Sequence, residues 1–153
     1  MVLSSIQQNT PTVTFEEMTI EIYNSKVKLA GKPSWGDFTL NLRDDANGQV
    51  QKIVGQQIQK QYDFMEQASA RSGIDYKFSM NVELLDGGNG ANVPGTLESF
   101  TLLGCFLQKV TYDGGDYSSS DPFTINCTVR YDNALQYGAG GAPTASAILG
   151  DVV

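Results

Sequence analysis

Two cysteines, Cys105 and Cys127, are the only thiols in a chain of 153 residues that contains no histidine. Ser-His and Cys-His nucleophilic catalysis and histidine-bound metals are therefore excluded. Each cysteine sits within an apolar strand pattern, GCFL and FTINCTV, where a free thiol behaves as a small hydrophobe. A zinc site would need more ligands at closer spacing. Buried thiols are the expectation. Glu16-Glu17 and Asp44-Asp45 are adjacent carboxylates, and neighbours on a strand point to opposite faces, so Glu16 and Glu17 cannot work as an acid/base pair. The glycines at 87–90 and 138–141 complete neither a dinucleotide fingerprint nor a phosphate-binding loop. Asn126-Cys127-Thr128 spells a glycosylation sequon inside a strand pattern, which reads as coincidence. Trp35, the sole tryptophan, is expected as a core or subunit-interface anchor. No catalytic, cofactor-binding or metal-binding residue is assigned, no cofactor is expected, and the chain reads as a non-enzyme.

The bulk properties agree with a protein that binds or assembles. The length suits one domain with a sizeable core. Seventeen acidic residues against ten basic ones give a formal charge of −7, a poor basis for gripping nucleic acid, which needs cations to displace counterions. No run of 18 apolar residues is present, so no transmembrane helix is expected. The start, MVLSSIQQNTP, shows no signal peptide, which points to folding in a cytoplasm, where disulfides are disfavoured.

The elements follow from pattern. Residues 12–23, TVTFEEMTIEIY, are rich in β-branched and aromatic types and read as a strand. Residues 26–30 continue it or pair with it across Asn24-Ser25, and Gly31-Lys32-Pro33-Ser34 reads as a further turn. In 35–43, Phe38, Leu40 and Leu42 alternate with Thr39, Asn41 and Arg43. Asp44 or Asp45 then offers a helix N-cap, and Val50, Ile53, Val54, Ile58, Tyr62 and Met65 recur at helical spacing, with Gly73 as the stop. Ile74 to Leu84 alternates cleanly and predicts a half-buried strand. Residues 86–96 read as a loop. Residues 97–112 are nearly continuous in apolar character and predict a strand buried on both faces. Residues 122–131 predict a last strand with Phe123, Ile125, Cys127, Val129 and Tyr131 inward. The domain is placed at 1–135, and the Gly/Ala-rich stretch 136–153 is expected to be a mobile tail, or one that orders on assembly.

The run KVKLAGKPSWGDFTLNLRDD, the helix after it, and the closing FTLLGCFLQKV and PFTINCTVRYD strands resemble the tube proteins of contractile bacteriophage tails, relatives of type VI secretion tube proteins. The resemblance spans roughly residues 12–135. It lacks most of the strand region that family members carry before the segment matching 12–23, and the tail after 135 lies outside the shared pattern.

The resemblance implies a mainly β fold, two packed antiparallel sheets (a β-sandwich or barrel) with one α-helix, whose inner sheet completes a β-barrel across a hexameric ring. Rings would stack into a hollow tube conducting DNA without binding it. The implied partners are copies of itself, a tail sheath protein, a tape-measure protein, and baseplate and tail-terminator proteins, in a virion tail assembled in the host cytoplasm. A baseplate tube initiator or an injection-system tube protein fits the same pattern. On this reading the 23–35 hairpin, with Lys26, Lys28, Lys32 and Trp35, reaches the next ring. Glu17, Glu21, Asp75 and Glu83 are candidates for the lumen face, where negative charge would repel phosphate over a Debye length of about 8 Å. Lys52, Gln56, Lys60 and Asp63 are candidates for a helix face meeting the sheath. From a different class, a monomeric β-sandwich binding carbohydrate or peptide would use Trp35, Tyr112 and Tyr117.

Overall fold

The structure, a computed structural model, describes residues 5–8, 10–44, 47–88, 95–113 and 123–138. Among the described residues twelve elements follow one another: β1 (Ser5–Gln8), β2 (Val13–Ile22), β3 (Ser25–Trp35), β4 (Phe38–Arg43), α1 (Gln49–Gln61), β5 (Tyr62–Asp63), β6 (Ala68–Ser69), α2 (Gly73–Tyr76), β7 (Phe78–Leu85), β8 (Thr96–Tyr112), β9 (Thr124–Arg130) and β10 (Asn133–Tyr137). The chain is mainly β and its ladders are antiparallel. A six-stranded sheet runs β1-β4-β9-β8-β10, with β7 also paired to β8; among the described residues β2 and β3 pair only with each other, as do β5 and β6.

Strand β8 organises the body. Its first half pairs with β7 and with β10, and its second half pairs with β9. The alternating residues of β4 and β9 turn one face inward, as their sequence period requires. Phe38 and Val129 from that half meet Leu102 and Cys105 of β8 and the β7 side chains Phe78, Met80 and Val82 in one cluster. The sheet is thus folded over its own core. Helix α1 lays Val50 and Val54 on the remaining part of the same face, against Leu42, Ile125 and Cys127. Residues Ile125, Cys127, Val129 and Tyr131 are buried, as the alternation predicts.

Several expectations need correction. Helix α1 begins after Gly48, which adopts the left-handed conformation, and not at Asp44. The Asp44 amide still donates to the Phe123 carbonyl at 3.0 Å, which keeps that residue in the sheet ladder; Asp45 lies outside the described residues. The helix also stops at Gln61, short of Met65 and Gly73. There the Gln61 side chain turns onto β8, donating to the Leu107 carbonyl at 2.9 Å and accepting from the Leu107 amide at 2.8 Å. This amide satisfies backbone on the edge of β8 beyond the reach of β7. Tyr62 is already extended, and Met65, expected on the buried side, is 93% exposed.

Gly73 opens α2 instead of ending α1. Ser72 caps that turn, with a capping box closed by Asp75. Ile74 and Asp75 therefore leave the strand the alternation predicted, and Ile74 is 89% exposed. Gly31-Lys32-Pro33-Ser34 is not a turn; it continues β3. Strand β1 pairs with β4. Strand β10 pairs with β8 through Tyr137; residues 139–153, most of the expected tail, lie outside the described residues. Strand β8 is not buried on both faces: only Leu102 and Cys105 are buried, and Tyr112 is exposed.

Candidate assembly interface

Among the described residues the β2–β3 hairpin is a two-stranded ribbon that joins no other sheet. Its base is closed by the Gly36 amide on the Thr12 carbonyl at 2.9 Å, and its tip by Tyr23 and Asn24. Tyr23 takes a positive φ of 48° to make that turn. Midway, Phe15 pairs with Pro33 but Glu17 pairs with Ala30, so Gly31 and Lys32 together oppose Glu16. This is a bulge in β3. A side chain at Gly31 would lie 2.9 Å from the Glu16 carbonyl oxygen, so the close strand approach requires glycine.

Side chains on the two faces follow from the pairing. At the base, Val13, Phe15, Pro33 and Trp35 share one face. Trp35 packs against the body, its ring 5.7 Å from that of Tyr131. Toward the tip the same face carries Glu17, Thr19, Glu21, Lys26 and Lys28. Lys26 is ion-paired with Glu21 and Lys28 with Glu17, both at 3.0 Å and well exposed. Exposed pairs of this kind contribute 0 to about 1 kcal/mol each.

The opposite face of the outer ribbon is apolar. Met18 pairs with Leu29 and Ile20 with Val27, followed by Ile22. These five side chains are 41–56% exposed. An isolated two-stranded hairpin is marginal in water, and a contiguous bare apolar patch marks a surface that something covers. Covering the open half of each side chain would contribute about 1 kcal/mol apiece.

The structure places the sequence-derived candidates as follows. Lys26, Lys28, Glu17 and Glu21 lie together on one ribbon face, so two residues assigned to stacking are the ion-pair partners of two assigned to the lumen. Lys32 sits in the bulge and Trp35 at the core margin. Glu83 is exposed on β7, but Asp75 is not on a strand at all: its carboxylate accepts from the Ser72 amide. Lys52, Gln56 and Lys60 share the exposed side of α1. Asp63 is off the helix, in β5, where the amides of Met65 and Glu66 and the side chain of Gln59 donate to it. Those backbone donors hold its carboxyl below the ordinary carboxylate range. Of the three aromatic residues proposed for ligand binding, Trp35 is committed to the core margin, Tyr112 is exposed, and Tyr117 lies outside the described residues. Burial pushes the Cys105 and Cys127 thiols up to about 11, and both are free.

Sequence reasoning missed the residues of the bare ribbon face. A signal was present: Met18, Ile20 and Ile22 alternate at period two, as do Val27 and Leu29. Reading 12–23 as one undivided strand hid the exchange of faces. Among the described residues, β1, β7 and β10 each pair along one edge only, so the sheet is open within a single chain.

No protein-family model matches the chain, and no curated protein matches it. Solved structures do. A chain in the six-fold symmetrised cryo-EM structure of the anti-feeding prophage baseplate superposes with a TM-score of 0.63 at 13% identity, over 90% of this chain and 83% of that one. A chain in the structure of the anti-feeding prophage tube-terminating cap gives 0.66 at 14% identity, over 90% and 82%. A crystal structure of Hcp protein gives 0.58 at 7% identity, over 92% and 74%. At such identities the likeness is one of fold: this chain shares its fold with chains in the anti-feeding prophage and Hcp structures.

Proposed function

We propose that this chain is a structural subunit of the tube of a contractile tail or injection machine, with no catalytic role. One observation carries the reading: a ribbon whose outer apolar face has no cover among the described residues of its own chain. A second copy supplies that cover. Each ribbon lies on its neighbour, and open strand edges such as those of β7 and β10 meet partners around a ring, which removes unpaired edges from solvent. Head-to-tail contacts of this kind close into rings when the rotation permits. The fold likeness supports a hexamer, stacked into a tube that conducts DNA in a phage tail or another cargo in an injection system. Tail sheath, tape-measure, baseplate and tail-terminator proteins are the partners this role requires, and a tail particle is the location.

The lumen reading changes in detail. Glu17 and Glu21 are neutralised by Lys28 and Lys26, so a ribbon facing the channel would present fixed ion pairs with no net charge; Glu83 keeps its candidacy as an anionic lining residue. Lys52, Gln56 and Lys60 remain the helix face proposed for the sheath. The monomeric binding-module reading loses a contact, because Trp35 is engaged with Tyr131.

Size-exclusion chromatography with light scattering, followed by negative-stain microscopy, tests the proposal. Rings or tubes are expected. A solitary 16.6 kDa particle at high concentration overturns it. Single rings that never elongate would favour an initiator or terminator ring over the main tube.

A further inference from the structure

Where the two halves of the folded sheet meet, three separate segments converge on one carboxylate. In the β7–β8 ladder Phe78 faces Cys105 and Met80 faces Leu102, so Leu103 and Gly104 together oppose Ser79. This is a bulge with its glycine at φ 68°, a geometry that bends a strand and sharpens its twist. On the other edge, β9 and β10 keep one continuous register along β8: Arg130 faces Phe106 and Asn133 faces Leu103. Their pairing is interrupted at Tyr131 and Asp132, beside the bulge. There the Asp132 amide donates to the Leu103 carbonyl at 2.9 Å. The Asp132 carboxylate fills the space over Gly104, where an added Cβ would lie 2.8 Å from its Cγ. Lys77, immediately before β7, donates to that carboxylate at 2.6 Å. The bend in β8, the break between β9 and β10, and the entry to β7 are thus tied at one point.

We propose that Gly104, Asp132 and Lys77 set the angle between the two halves of the sheet and thereby the number of copies that close a ring. The second half of this statement rests on the tube reading; the first does not. Both halves of the sheet contribute edges, β1 from one and β7 and β10 from the other, so their mutual angle fixes the rotation from one copy to the next. Closure is sensitive to that rotation, because a change of about 9° converts a six-fold ring into a seven-fold one. The ion pair supplies the restraint. Lys77, just before β7, ties the start of that strand to Asp132 across the bulge.

The experiment compares the parent chain with Lys77→Met and Asp132→Ala. Native mass spectrometry counts subunits per ring, and hydrogen exchange follows the amides of residues 102–107 and 130–135. Exchange there is expected to rise at least 10-fold in Asp132→Ala and less in Lys77→Met, with far-ultraviolet circular dichroism unchanged. Rings of the variants are expected in mixed sizes or as open arcs. Unchanged exchange in both variants overturns the hinge. Raised exchange with the parental ring size in both overturns its role in closure. A parent chain that forms no rings sinks the tube reading and with it the closure role, while exchange still decides the hinge. Should Asp132→Ala fail to fold, Lys77→Met, which removes the ion pair and leaves the carboxylate over Gly104, decides both points.

Discussion

Strands β4 and β9 and the outer ribbon of β2 and β3 carry the same kind of alternation and meet different fates. In the body, Phe38 and Leu42 face Val129 and Ile125 across the ladder, and the folded-over sheet and α1 cover them. In the ribbon, Met18 and Ile20 face Leu29 and Val27 across an equally regular ladder, and nothing among the described residues covers them. The difference teaches that pairing and packing are separable. A hairpin can satisfy its backbone and leave its hydrophobic face for another molecule. Body residues should therefore govern whether the monomer folds, and ribbon residues whether monomers combine.

The sharpest way to break this contrast is a pair of substitutions. Phe38→Ala, in the body, should cost roughly 3–5 kcal/mol of stability through lost burial and an uncollapsed cavity, read as a fall in the urea midpoint. Ile20→Asp with Val27→Asp, in the ribbon, should leave that midpoint within about 0.5 kcal/mol and abolish rings and tubes. Normal tubes from the ribbon variant would show that its apolar face is not the joint. A smaller effect is expected on the other face: reversing Lys26 and Lys28 to glutamate sets like charges opposite Glu21 and Glu17 and should block stacking while single rings survive. Full-length tubes from that double variant would remove the charged face from any stacking role.

The buried thiols give a finer probe of the body. With burial raising both to about 11, little thiolate forms at pH 8, and thiolate is the reacting species. Alkylation of Cys105 and Cys127 by iodoacetamide should be about 100-fold slower in the native chain than in urea; equal rates would mean the core opens readily. The smallest effect concerns Lys77, raised above its ordinary value of 10.5 chiefly by its hydrogen bond to Asp132. A raised folded value means the contribution is fully present below the unfolded value and disappears as pH climbs through the folded one. The stability difference between the parent and Lys77→Met should therefore hold to about pH 10 and shrink above it, as urea midpoints at pH 9 and pH 11.5 would reveal. A difference that stays constant across that span would detach the ion pair from stability.

Legibility in sequence varied with how faithfully each element kept its period. Strand β9 was readable because Ile125, Cys127 and Val129 alternate without interruption. Strand β8 was readable as a strand, but not which of its residues face inward, because two bulges shift its inward positions from Leu102 to Cys105 and from Leu107 to Val110. The alternation is present but offset twice, and a doubly offset alternation looks like continuous burial. The middle of α1 was readable from Val50, Val54 and Ile58, while its ends were not. Tyr62 and Met65 sit at helical spacing, yet the helix ends at Gln61, whose side chain bonds β8, a contact 46 residues away in the chain. The candidate interface was half legible: the ribbon's lysines and glutamates were singled out, but not that they pair on one face or that the other face is bare.

The amino-acid order alone determined that no imidazole chemistry is available, that the chain is mainly β with a helix after the 35–43 strand, and that β4 and β9 have one apolar side. These are consequences of residue type and short-range period, which need no knowledge of distant neighbours. Only the tertiary structure decided where the helix ends, where β8 bends, and which apolar faces find cover. Those depend on residues far apart in the chain meeting in space, as Gln61 meets Leu107 and Asp132 meets Gly104, and a local pattern carries no record of such meetings.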